Sequence, residues 1–144
     1  MIYLLSPYTH FDPNVEDARA ETITNIMVAL RNRGWNAVSP VALCHPIRRM
    51  YALPGSFSYW ESICNCFLNV SVAAFVIQIQ GWNESEGISA ELKQFSKPVF
   101  YIPYDKDTVA NVESVMKGFL SGKSRSGISE GASEQADTGD SGRI

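Results

Sequence analysis

The sequence predicts an α/β three-layer sandwich built on a parallel sheet of four to five strands. Three observations carry that prediction. Short apolar runs alternate along the chain with segments whose apolar residues recur at helical spacing. The most apolar run, Ala73–Ile79, is almost unbroken, as a strand covered by helices on both faces requires. Capping residues, prolines and glycines fall where the runs change character.

Ile2–Leu5 reads as a first strand, ended by Ser6-Pro7. Asp12-Pro13 starts a helix, with a capping side chain followed by proline in the first turn. Ile23, Ile26, Met27 and Leu30 keep its buried stripe until Gly34 closes it. Asn36–Pro40 reads as a second strand, followed by a loop through Cys44-His45-Pro46 and Leu53-Pro54-Gly55. Ser58 and Glu61 form a capping box, and Trp60, Ile63 and Phe67 are the expected buried stripe of the helix behind it. Ala73–Ile79 is the central strand. Asn83 and Glu86 make a second capping box, opening a helix that turns Ile88, Leu92 and Phe95 inward. Pro98–Ile102 is a fourth strand, and Val109, Val112, Met116 and Phe119 mark a last helix. The expected strand order is 2-1-3-4, that of flavodoxin-like and Rossmann-like sheets.

The composition, 45% hydrophobic and 19% charged, fits a soluble globular domain over residues 1–120. Residues 121–144 are rich in serine and glycine and lack aromatic residues, so a disordered tail is expected there. Twelve basic and 15 acidic residues give a net charge of −3 with no basic block, which argues against a nucleic-acid polymer as partner. No apolar run is long enough to span a membrane, and the first residues lack a basic leader. A cytoplasmic protein with reduced thiols is therefore expected. Cys64 and Cys66 sit two apart on a helix and face nearly opposite ways, so no metal site is expected, and no cofactor.

In an open parallel sheet, ligands bind beyond the carboxyl ends of the strands where the order reverses, here between the first and third strands. The segments leaving them are Ser6–His10 and Gln80–Gly87, both rich in polar, aromatic and glycine residues. The second leads into a helix N-terminus, which favours an anion such as phosphate. Alternatively, Gly81 and Gly87 merely permit a tight turn and Ser85 merely caps. Glu91 falls on the flank of the buried stripe, one turn beyond Gly87. A carboxylate there suits a nucleophile or general base, or a boundary glutamate held by a tyrosine or a backbone N–H.

Several of these residues stand together in a known order. They are Ser6-Pro7-Tyr8-Thr9-His10, His45-Pro46-Ile47, Trp60, Gly81-Trp82, Ser85-x-Gly87-x-x-x-Glu91 and Lys97-Pro98-Val99. Over residues 1–104 the chain resembles the nucleoside 2-deoxyribosyltransferase superfamily, and within it a small bacterial and phage branch of largely unassigned function. The resemblance implies that Glu91 attacks C1′ of a 2′-deoxynucleoside. It further implies that Ser85 and Gly87 hold a 5′-phosphate and that Tyr8 lies against base or sugar. Ser6, His10, His45, Trp60, Gly81 and Trp82 complete the expected substrate-binding set. Relatives often carry aspartates where this chain has Cys64, Val72 and Gln80, leaving Glu61 and Glu84 as the other acids in reach. The expected function is cleavage or transfer at the N-glycosidic bond of a nucleoside or nucleotide, in a homo-oligomer. The alternative is a catalytically inactive nucleotide-binding module that sequesters or senses its ligand.

Overall fold

Four parallel strands, β1 (Ile2–Leu5), β2 (Ala37–Val38), β3 (Ala73–Gln78) and β4 (Val99–Pro103), pair in the order β2-β1-β3-β4. A computed structural model describes residues 1–122 of the chain; the tail expected from residue 121 onward falls outside the described residues beyond Gly122. Register is set by β1, whose Ile2 pairs with Ala37 on one side and Ala73 on the other. The helices are α1 (Pro13–Asn32), α2 (Pro40–Tyr51), α3 (Phe57–Val70), α4 (Glu86–Gln94) and α5 (Thr108–Leu120). The result is an α/β three-layer sandwich of Rossmann-like topology. No helix of the described residues is long and apolar enough to cross a membrane.

Period-two alternation divides the core. Ile2, Leu4, Phe75, Ile77 and Ile102 pack with Ile23, Ile26 and Leu30 of α1 and Val112 and Met116 of α5. Tyr3, Leu5, Val38, Ala74 and Val76 turn to the other face, against Leu68 of α3 and Ile88 of α4. Tyr3, fully buried, thereby points at α4. The first helix forms as its sequence dictates: Asp12 caps Asn14 N–H at 2.9 Å, with Pro13 at the first helical position.

Helix α2 corrects the expected strand and loop. The second strand stops at Val38, and Ser39 caps a helix that runs through Cys44, His45 and Pro46. Pro40 suits the first turn, but Pro46 lies inside the helix, where its missing N–H removes one backbone bond. Burial of Ala42 and Cys44 and the ion pairs of its basic residues hold the helix despite that loss.

Two caps and one stripe also move. Helix α3 starts after Ser56, so Ser58 lies within it and forms no capping box. Its buried side chains are Cys64 and Leu68, while Ile63 is 40% exposed. The stripe is rotated by one residue because the buried thiol behaves as a small apolar side chain. Helix α4 is capped by Ser85, which accepts from Ile88 N–H at 3.3 Å, and Asn83 belongs to a short 3₁₀ turn, Trp82–Glu84. Leu92 and Phe95 pack at the margin of the core, and Glu91 joins Ile88 as a buried residue of this helix. The fourth strand runs one residue further than expected, to Pro103.

Candidate ligand cavity at the switch point

Between β1 and β3, where the strand order reverses, the loops leaving both strands enclose a cavity of about 480 Å³. That volume lies in the range of small-molecule sites. Ser6, Tyr8, His10, His45, Trp60, Gly81, Ser85, Gly87 and Glu91 all line it. Trp82, expected beside them, does not: its indole packs under the sheet margin against Tyr101, with ring centroids 5.7 Å apart. Glu61 lies outside too, accepting a hydrogen bond from Gln94 at 2.8 Å.

Glu91 forms part of the wall and is only 8% exposed. Tyr3 reaches it through the alternation of β1 and donates to Oε1 at 2.6 Å. The tyrosine expected as a possible holder of this glutamate is therefore present. Burial pushes the Glu91 carboxyl up to about 7, while the Tyr3 hydroxyl and the Cys64 thiol beside it pull in the opposite sense. Cys64, also in the wall, is itself pushed up to about 12 by burial and by the Glu91 charge. The Tyr3 hydroxyl is raised well above its ordinary value for the same reasons and stays protonated. A buried carboxyl in a cavity wall, with one oxygen held by a fixed donor, is a group suited to attack or to proton transfer.

The two glycines have different explanations. Gly81 has φ +89°, a conformation that favours glycine, and it also makes room for the Arg19 guanidinium. Its residue type follows from the turn. Gly87 has no positive φ, and an added Cβ there meets only Phe57 and Ser85 at ordinary contact distance. No turn requires Gly87, and its bare backbone lies in the cavity lining at the first turn of α4. There the leading N–H groups lack helical partners.

From the cavity wall into α1 and α2 runs a polar network that the sequence alone does not assemble. Glu16 of α1 is 3% exposed and pairs with Arg48 of α2 at 2.5 Å. Arg48 also donates to Tyr8 Oη at 2.8 Å, and Tyr8 Oη lies 2.8 Å from His45 Nδ1. His45 Nε2 faces Asp17 at 3.3 Å, and Asp17 pairs in turn with Arg49. The backbone N–H of His10 donates to Glu16, which fixes the turn after β1. Arg19 donates to the carbonyls of Tyr8, Thr9 and Gln80 and so ties both cavity loops together. The usable signal was the spacing of Glu16-Asp17 against Arg48-Arg49, which becomes meaningful only once residues 40–51 are helical. Ser6 Oγ is buried against the cavity with no hydrogen-bond partner among the described residues.

Of the two neighbouring thiols, Cys64 is buried and lines the cavity, and Cys66 is exposed. Fold and cavity together define a Rossmann-like α/β domain with a ligand-sized site at its switch point. The chain belongs to the family described as Domain of unknown function (DUF1937), which matches residues 1–102. No curated protein matches it.

Proposed function

We propose that this protein cleaves or exchanges the N-glycosidic bond of a 2′-deoxynucleoside or its 5′-monophosphate, with Glu91 as the nucleophile. The observation that carries the reading is a buried carboxylate, held by Tyr3, in the wall of a ligand-sized cavity one helical turn beyond Gly87. It agrees with the resemblance to nucleoside 2-deoxyribosyltransferases drawn from the sequence. The chemistry is that of retaining glycoside cleavage. A Glu91 oxygen bonds to C1′ as the C1′–N bond breaks and its electron pair leaves with the base. Water or a second base then attacks C1′ and releases the carboxylate. The cap at Ser85 and the free N–H groups beside Gly87 provide donors for a sugar hydroxyl or a 5′-phosphate.

Incubation with the four common 2′-deoxynucleosides and their monophosphates, with and without an acceptor base, tests the reading. Release of free base, abolished in Glu91→Gln, is the expected result; no release from any of them contradicts it.

A second reading draws on Cys64, a thiol where a second acid stands in the relatives. A cavity with a single buried carboxylate also suits a nucleotide-binding module without turnover. Calorimetry separates the two, because binding without base release favours the module.

A further inference from the structure

The donors around Tyr8 fix the direction of the hydrogen-bond network behind the cavity. Arg48 has only donors, so Tyr8 Oη accepts from it. Asp17 faces His45 Nε2, and a carboxylate there keeps the proton on that nitrogen. Neutral His45 then presents a bare Nδ1, which takes the Tyr8 hydroxyl hydrogen at 2.8 Å. In that state the hydrogen is turned away from any ligand. Protonated His45 carries hydrogens on both nitrogens. Its Nδ1–H donates to Tyr8 Oη alongside Arg48, and the hydroxyl's own hydrogen is released toward the cavity that Tyr8 lines.

The cavity has need of such a donor. Of its carboxyl groups, Glu84 and Glu86 are solvent-exposed and Glu91 is the buried one assigned to attack. Glu16 is engaged by Arg48. We propose that Tyr8 is the catalytic acid that protonates the departing base, that His45 resupplies its proton, and that Asp17 is a positioning residue holding the imidazole. The assignment rests on the N-glycosidic reading above. As the C1′–N bond breaks, its electron pair stays on the base nitrogen, which takes the Tyr8 hydroxyl proton. The His45 Nδ1 proton moves to Tyr8 Oη, and Glu91 bonds to C1′. His45 ends neutral and regains its proton from solvent.

The groups facing His45 are Tyr8, Glu16 and Asp17 on one side and Arg48 and Arg49 on its own helix. Burial lowers its pKa below the usual 6.5, the two arginines add to that, and Asp17 opposes them. Burial also keeps the Tyr8 phenol protonated, against the pull of Arg48.

The test compares base release from 2′-deoxyguanosine and 2′-deoxycytidine with release from 7-methyl-2′-deoxyguanosine and 3-methyl-2′-deoxycytidine. The methylated bases already carry positive charge and depart without a proton. Tyr8→Phe is expected to slow release of the unmethylated bases by about 100-fold or more. On the methylated substrates the loss should stay below about threefold, which also shows that the variant is folded. In the wild type, the ratio of unmethylated to methylated rates should rise as pH falls through the His45 titration. Taking the ratio cancels the titration of Glu91. Asp17→Asn should move that rise to lower pH. Nitrogen NMR at pH 8 should find the His45 proton on Nε2. Equal losses on both substrate classes in Tyr8→Phe, or a His45 proton on Nδ1, overturn the inference while leaving the Glu91 reading intact. Failure of the wild type to release base from any of the four overturns both.

Discussion

Replacing Glu91 with glutamine should change how stability depends on pH. Glu91 is 8% exposed, and burial raises its carboxyl from 4.5 to about 7 in the fold. The folded state therefore binds this proton more tightly than the unfolded chain does. The group leaves stability undiminished below pH 4.5, weakens it progressively as pH rises toward 7, and adds no further loss above. A shift of this size corresponds to about 3 kcal/mol lost across the window. Glutamine keeps an oxygen to accept the Tyr3 hydroxyl and has no proton to lose. Urea denaturation of wild type and Glu91→Gln at half-unit steps from pH 4.5 to 8 measures the effect. The difference between the two proteins isolates Glu91 from other carboxylates, such as Glu113, whose pKa is lowered by Lys117 and Arg33. The variant should gain on the wild type as pH rises from 4.5 to about 7 and hold that gain to pH 8. Parallel stability curves would refute the reasoning, because they would mean that Glu91 ionises in the fold as it does in water.

Three further changes probe the surroundings. Gly81→Ala places a Cβ 2.6 Å from the Arg19 guanidinium in a left-handed backbone conformation, and should cost about 1–2 kcal/mol in urea denaturation; a neutral result contradicts the clamp between the two loops. Arg48→Met removes the close partner of buried Glu16 and leaves Arg49, 3.9 Å away, as the remaining counter-charge, so it should cost about 2 kcal/mol or more at pH 7, recovered in part by adding Glu16→Gln; a loss confined to the exposed-pair range contradicts it. Tyr3→Phe removes the donor that favours ionised Glu91, so the carboxyl should titrate above its wild-type value of about 7 by carbon NMR; an unchanged titration means the hydroxyl contributes nothing.

Most of the sheet was legible because each strand carries its own signal. Ile2–Leu5 and residues 73–77 are continuous apolar runs, and right-handed strand–helix–strand connections limit the ways they can be joined. The cavity was legible for the same reason, since the switch point fixes which loops meet. Helix α2 was not. Two prolines and a Cys-His pair read as loop, and the stabilising partners of Arg48 and Arg49 lie more than thirty residues away, on α1. Without that helix, nothing in the sequence links Glu16 and Asp17 to Arg48 and Arg49. Trp82 entered the expected binding set with Gly81 through the resemblance, whereas its indole packs at the core margin against Tyr101. Helix α4 shows the limit of stripe geometry. Its flank position for Glu91 was right, but only the Tyr3 hydroxyl explains how a carboxylate is buried there.

The central claim is that Glu91 bonds covalently to the sugar. A 2′-deoxy-2′-fluoro-arabinonucleoside slows both chemical steps, because the fluorine disfavours the positive charge that develops at C1′. Intact-mass and peptide mass spectrometry after incubation with purine and pyrimidine analogues of this kind should find the fluorinated sugar on the peptide carrying Glu91, and none on Glu91→Gln. Base release without any adduct on that peptide, or an adduct on another residue, would contradict the account.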